Sequence, residues 1–525
     1  MNTALPARKL VDVFKTVGLP TYTYVKPKYF GEIRSDIETK GKHLLIEGPS
    51  GIGKTCVVYA VFQELGWVDE NDYFYISCRD PDAEEALLKY LEVAIDEKAP
   101  YPILVADDFH ILPEQVRHEV GTRLKRLSDR IFSDDSPGKV ILIGIPAAGT
   151  SILANARDLG PRLGGYRFKT ADDSEISKLI DEGESELNIL FENRDAILAE
   201  SSGNFWLAQY ICNKICSTNN IFSTMKDPTV IDFDLHYIRS RLMTEMTSNF
   251  MPTATAFAKG KKWRPGGNKP YLEILIAICK IPDLVIPFDN ILSLVQERRR
   301  PGLKAVKPRI KEVIFDPSKS VDLRKQIAFE EDYFSLEDPL FRYFLTHLDE
   351  NDLYRELGVQ KDKVEADNSY AYEIGFSFAG EVRKIVDYVN SALKAEDSVT
   401  FYDFDMQAFL LAEDLQAVLG KIYAVSCRYY IVFIDEFYLQ KVWTRFEQDI
   451  MTKTGRERHI IPIILDKEAH GKAVGIPSTI GMVDLSSEWH QIKSGAEING
   501  DIEEAIKAKL IRPIVEKVSA PPTEF

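Results

Sequence analysis

The chain has 525 residues, which at about 150 residues per domain suggests three or four domains and is too much sequence for one core. Hydrophobic residues make up 45% and charged residues 28%, a balance that excludes a largely disordered chain, a collagen-like repeat and a coiled-coil rod. Lys and Arg number 65 against 81 Asp and Glu, a net charge of -16, so a general nucleic-acid coat is excluded and only local basic patches remain for such a role.

Cys56, Cys78, Cys212, Cys216, Cys279 and Cys427 form no CxxC pair and no Cys/His cluster of zinc-finger spacing, so they read as ordinary thiols. The opening MNTALPARKLVDVF has no uninterrupted apolar region of signal-peptide type. The most apolar stretch, Leu272 to Phe288, is broken by Glu273, Lys280 and Asp283. The expectation is a soluble, cytoplasmic protein with no membrane partner.

Residues 42–47, 72–77, 102–107 and 139–145 read as short buried strands with amphipathic helical stretches between them. Continuous apolar runs alternating with helices predict a parallel sheet covered on both faces. From about 171 to 230 the strand signals stop and the pattern is helical. Residues 231–357 mix helices with a basic, Gly/Pro-rich stretch, and residues 358–370 are polar and read as a linker. A second alternation follows, with strands at 373–379, 399–404, 429–435 and 459–465, and predicts an independent flavodoxin-like unit.

GPSGIGKT, residues 48–55, follows the first strand and opens a helix, the context required for a G-x-x-x-x-G-K-[ST] phosphate loop. Gly48, Gly51 and Gly53 let the backbone curl, so that the amides of Gly48, Pro49, Ser50, Gly51, Ile52, Gly53, Lys54, Thr55 and Cys56 form the expected ATP/ADP cradle, proline lacking a donor. Lys54 supplies a cation to the β- and γ-phosphates, and Thr55 a hydroxyl to Mg²⁺. ILVADDFH, 103–110, is an apolar strand ending in two acids. Asp107 stands where a carboxylate holds the Mg²⁺ water shell, and Asp108 where a base orients the attacking water.

These residues resemble the AAA+ and STAND families of P-loop ATPases over about 20–357, and the adjacent Asp pair leans towards STAND, the NLR-like switches. The resemblance implies an N-terminal segment (1–33), a P-loop core (34–170), a helical lid (171–230) and a winged-helix-like domain (231–357), whose end DPLFRYF (338–344) resembles. Two features depart from the pattern: VILIGIP (140–146) lacks a polar sensor at its tip, and Gly203-Asn204-Phe205 lacks the proline of the lid G-x-P. An arginine finger, if used, would be Arg157 or Arg162.

The unit after the linker, 371–525, resembles a TIR domain in FSFAG (376–380), FYDFDMQAFLLAEDL (401–415), IYAVSCRYYIVF (422–433) and VWTRFE (442–447). That family contains assembly scaffolds and enzymes that cleave the nicotinamide–ribose bond of NAD⁺. Trp443 and Glu447 are i and i+4, on one helix face. The resemblance makes Glu447 the catalytic carboxylate, which would stabilise oxocarbenium character on the ribose. It places Ser377, Phe378, Ala379, Asp403 and Trp443 around NAD⁺. The whole architecture resembles bacterial TIR–STAND antiphage proteins. It implies ATP-dependent self-assembly into a higher oligomer on a phage-derived or nucleotide trigger, which starts NAD⁺ cleavage to nicotinamide and ADP-ribose or a cyclised form. Two other readings stay open: a non-catalytic TIR that recruits partners, and a DNA-dependent ATPase using the basic islands at 259–269 and 298–311. For those islands a docking face for an acidic domain is favoured over nucleic acid.

Overall fold

In a computed structural model, the residues described are 7–48, 51–67, 72–129, 138–144, 162–264, 266–330, 332–336, 338–367, 370–402, 426–438, 459–470 and 481–520. The described residues divide into two compact units. The first holds residues 1–248, 283–285 and 324–344, and the second 249–282, 286–323 and 345–525.

The first unit is built on five parallel strands: β1 His43–Glu47, β2 Tyr73–Ser77, β3 Ile103–Asp107, β4 Lys139–Gly144 and β5 Leu163–Arg167, in the order β2-β3-β4-β1-β5. The apolar runs of β1, β3 and β4 are buried along nearly their whole length, as a sheet covered on both faces requires. Helices Lys54–Leu65, Ala83–Asp96 and Glu114–Asp129 follow β1, β2 and β3 in turn. They pack into two clusters, one around Leu87, Leu104 and Leu124 and one around Val57, Ile46 and Ile141.

The four strands expected in this unit recur within one residue of the expected bounds, and β5 is an addition. Its sequence, LGGYR, carries little strand propensity, and its outer residues are half exposed at a sheet edge. Gly164 is there for space, because a Cβ would lie 2.5 Å from Asp36 Oδ2. The region read as purely helical needs one correction. Helices Asp173–Leu187, Arg194–Ser201 and Phe205–Thr218 form, but β6 Ile189–Phe191 and β7 Thr229–Ile231 pair in parallel around them. Three-residue strands are too short for a period-2 signal.

Further along are helix Leu235–Ala258, helix Pro270–Cys279, β8 Val285–Pro287 and the hairpin of β9 Ile327–Glu330 and β10 Tyr333–Leu336. Residues 358–370, read as a linker, contain a helix, Lys361–Asp367.

The second unit carries the other parallel sheet: β11 Tyr372–Ser377, β12 Thr400–Phe401, β13 Cys427–Ile434, β14 Ile460–Ile464 and β15 Val483–Asp484, in the order β12-β11-β13-β14-β15. This is the 2-1-3-4-5 flavodoxin-like order, with its switch point between β11 and β13. Helix Arg383–Ala395 lays Ile385, Val386, Val389 and Leu393 on a core shared with Phe376, Phe433 and Leu510. Among the described residues no helix is long and apolar enough to cross a membrane.

Candidate functional site

The phosphate loop leaves β1 at Gly48 and enters the helix at Lys54. Gly51 and Gly53 have φ of 74° and 90°, the left-handed region that costs an L side chain energy. Gly51 is also a close approach: a Cβ would lie 2.7 Å from Asn204 Nδ2 and from Pro339 Cγ. The cavity over this loop has a volume of about 500 Å³. Lys54, Thr55, Cys56, Asp107 and Asp108 line it with Gly51, Ile52 and Gly53.

Lys54 Nζ donates to Gly48 O at 2.8 Å, across the mouth of the loop. Thr55 Oγ1 donates to Asp107 Oδ2 at 2.7 Å, which brings together the two expected Mg²⁺ groups, one on the helix after β1 and one at the end of β3. Asp107 also accepts from Tyr75 Oη at 3.1 Å and from the Asp108 amide at 2.9 Å. Burial raises the Asp107 carboxyl, the Asp108 charge adds to it, and the bond from Thr55 opposes both. Burial disfavours the charged form of this carboxyl, and a divalent cation would stabilise it as the anion. The donor set of Thr55 hydroxyl and Asp107 carboxylate therefore fits Mg²⁺, and the loop amides with Lys54 fit a phosphate chain.

Asp108 has a positive φ of 55°, rare for a residue other than glycine or asparagine. Its carboxylate takes the Arg79 Nε at 2.5 Å, and Arg79 reaches Lys325 O at 3.4 Å. Burial holds the Cys56 thiol at about 11, so it is inert.

The sequence reading missed Arg79 and Tyr75, on and after β2, and the N-terminal segment. Tyr24 and Pro27 line the cavity together with Trp206 and Gln209 of helix Phe205–Thr218. Thr23 Oγ1 donates to Val13 O at 2.9 Å, so it accepts from Gln209 Nε2. Trp206 Nε1 donates to Thr16 O at 3.0 Å. These are contacts between segments some 190 residues apart, and no local spacing signals them. Where Gly203-Asn204-Phe205 lacks the proline of a G-x-P motif, Gly203 takes φ of 73° and Asn204 Oδ1 caps the helix Phe205–Thr218 through Leu207 N at 2.9 Å. Arg162 stands at the start of β5 and pairs with Asp129, while the phosphate loop follows the end of β1, the opposite edge of the sheet.

In the second unit, Ser377 ends β11 at the switch point. It is buried, and its Oγ lies 2.9 Å from Tyr438 Oη. Ala379 is buried too. Of the three strand-tip residues only Phe378 keeps exposed surface, with the Arg383 guanidinium 5.2 Å from its ring centroid and the Tyr402 ring at 5.8 Å. Asp435, unnamed in the sequence reading, follows the end of β13 beside this point and is buried. It accepts from Tyr438 N at 2.9 Å, and burial raises its carboxyl. Pro49, Ser50, Arg157, Asp403, Trp443 and Glu447 lie outside the described residues.

Residues 44–145 match the family described as ATPase family associated with various cellular activities (AAA), and residues 374–507 match the TIR domain family. A curated relative, the 3′ cyclic ADP-D-ribose synthase AaTIR of Aquimarina amphilecti, is 35% identical over 123 residues, 23% of this chain. The match spans 36% of that relative's length, about a third of it. The Aeropyrum pernix ORC1 protein, solved in complex with DNA, is similar to this chain at 13% identity and a TM-score of 0.36, covering 67% of this chain and 97% of that one. Cdc6p of Pyrobaculum aerophilum is similar at 13% identity and a TM-score of 0.33, covering 66% and 98%. The chain carries an AAA ATPase domain and, after it, a TIR domain.

Proposed function

We propose that the protein is an NAD⁺-cleaving TIR enzyme whose activity is switched by nucleotide bound in its AAA module, and that it serves in antiphage defence. The observation that carries the reading is the likeness of the TIR domain to a cyclic ADP-ribose synthase, on a sheet of the order in which ligands bind outside the carboxyl ends of the strands at the switch point. The ATP cradle, with Lys54, Thr55 and Asp107 brought into one cavity, supports the switch.

In the reaction the C1′–N bond of NAD⁺ breaks and its electron pair leaves with the nicotinamide nitrogen, which becomes neutral. The ribose C1′ carries the positive charge, and Glu447 stabilises it. Water captures C1′ to give ADP-ribose, or a hydroxyl of the same molecule captures it to give a cyclic product, with loss of one proton either way. Phe378 offers an aromatic face to the base. In the ATPase unit bound Mg²⁺ would neutralise phosphate charge. Thr55 and Asp107 hold that position, Lys54 binds the phosphate chain, and Asp108 orients water once Arg79 yields it.

The test is nicotinamide release by purified full-length protein, with ATP, with ADP and without nucleotide, over a wide range of protein concentration. Activity should rise more steeply than linearly with concentration and should depend on the nucleotide. Absence of nicotinamide in every condition would leave the scaffold reading as the better one.

A further inference from the structure

The basic stretch at 259–269 has no part in either site described above, yet it is among the most heavily bonded segments of the second unit. Arg264 is 8% exposed, and its guanidinium donates to Glu373 Oε2 at 2.7 Å, to Asp397 O at 2.9 Å and to Ser398 Oγ at 3.3 Å. Glu373 has no exposed surface. Its carboxylate also accepts from Val399 N at 2.9 Å and from Asn268 N at 2.8 Å. Asp397 accepts from the amides of Lys261 and Lys262, at 3.2 and 3.4 Å, and pairs with Arg309 at 3.1 Å. Lys262 itself pairs with Glu396. On the other side of the segment the Gly266 amide donates to Ser519 O at 3.0 Å, and the buried Arg428 donates to Gly266 O and to Val518 O.

Backbone fit matches the charge pairing. A Cβ on Gly267 would lie 2.6 Å from Glu373 Oε1, and one on Gly302 would lie 2.6 Å from Ala371 O. A nucleic-acid site needs its cations free for phosphate and its surface wet. Here the charges of Arg264, Arg309 and Lys262 are met by acids of the TIR domain; Arg264 is buried and Arg309 is partly buried.

All of these contacts fall at one end of the TIR sheet. Glu373, Val399 and Arg428 sit at the start of β11, just before β12 and at the start of β13. The strands are parallel, so this is the amino-terminal edge. Ser377 and Asp435 mark the opposite, carboxy-terminal edge. Four residue steps along the strand separate Glu373 from Ser377, about 13 Å.

We infer that the segment 260–269, with Arg309, is a fixed joint that grips the TIR domain by the non-catalytic edge of its sheet. The helical region 249–323 and the TIR domain then move as one body. The candidate NAD⁺ edge is left uncovered by the joint and free to meet a second copy of the chain. Activation would bring whole bodies together rather than release a TIR domain from a mask. The activity arm of this inference rests on the NAD⁺-cleavage reading, and the exchange arm does not.

Hydrogen exchange on the full-length protein tests it through three reporter amides, Lys261, Gly266 and Asn268, each bonded across the joint. Their protection should be unchanged between dilute nucleotide-free protein and concentrated protein with ATP. Faster exchange of all three in the concentrated ATP state would overturn the joint. In a second arm, full-length Glu373→Gln should lose NAD⁺ cleavage or keep at most its basal level, with ATP binding intact. A nucleotide-independent rise in cleavage would mean that the contact masks the enzyme, and would also overturn it. Should Glu373→Gln fail to fold, the exchange arm on the unmodified protein decides. Salt-dependent DNA binding that is lost in Lys261→Ala/Lys262→Ala would overturn the inference in favour of a nucleic-acid face. If no nicotinamide is released in any state, the enzymatic reading fails while the exchange result still judges the joint.

Discussion

The two candidate sites sit at corresponding ends of two parallel sheets, yet they are assembled differently. In the ATPase unit the chemistry lies in a contiguous loop. Lys54, Thr55 and the loop amides follow one another in sequence, and one long-range bond from Thr55 to Asp107 completes the set. In the TIR unit the strand tips at the switch point are mostly buried, with the Ser377 hydroxyl spent on Tyr438 and Asp435 spent on its own turn. Among the described residues a dense polar network lies at the other end of the sheet, where Glu373 takes three donors. The phosphate site is thus completed within its loop by one long-range bond, whereas the described part of the TIR sheet is most firmly tied at its amino-terminal end.

The largest expected effect breaks the TIR side. Glu447→Gln keeps the side chain's shape and removes its charge. Nicotinamide release should fall about 10²–10³-fold, mainly in kcat, with NAD⁺ binding largely kept. ATP binding should be unaffected, because the nucleotide unit folds around its own core. Cleavage equal to that of the unmodified protein would sink the catalytic assignment.

On the ATPase side Lys54→Ala removes a cation facing several phosphate charges. A charge-assisted bond is worth about 1.5–3 kcal/mol, so ATP affinity should drop roughly 10–100-fold in a titration. Asp108→Ala should instead keep ATP affinity and slow phosphate release, since Asp108 lies off the Thr55–Asp107 pair. Equal affinity in Lys54→Ala would break the phosphate-loop reading. Slowed hydrolysis with weakened binding in Asp108→Ala would move Asp108 from the water to the metal.

How much was legible follows the same contrast. GPSGIGKT and ILVADD are readable because backbone curl, cation and acids occur at fixed local spacing, and a strand signal precedes each. The second sheet is readable because its central strands are long and apolar. β5 is not readable, since Gly164 and Gly165 erase its propensity at an edge where packing and not composition makes the strand. Arg79, Tyr24 and Gln209 were out of reach for a different reason: they come to the nucleotide cavity through tertiary contacts that leave no periodic trace. The basic island was legible as charge, and the docking preference was readable only as a preference. Its partners Glu373 and Asp397 lie over 100 residues away.

The smallest expected effect is a pH dependence confined to the nucleotide unit. His43, at the start of β1, is completely buried, and its Nδ1 accepts from Val140 N at 3.1 Å. Burial lowers its pKa from 6.5 to about 3, with the Lys139 charge a second cause. The folded state thus keeps His43 neutral where the unfolded chain binds a proton. Its contribution to stability is complete above pH 6.5 and is lost as pH falls from 6.5 towards 3. Between pH 6.5 and 5.5 the loss should be roughly 1 kcal/mol at full slope. Nucleotide-free denaturation midpoints of the ATPase unit, measured at pH 7.5, 6.5 and 5.5 as test conditions, should fall accordingly. His43→Asn presents its side-chain oxygen in place of Nδ1 and cannot titrate, so it should flatten that slope. An unchanged slope in His43→Asn would assign the acid sensitivity to other groups, and an equal effect of the substitution on the TIR unit's transition would mean that the two units do not unfold independently.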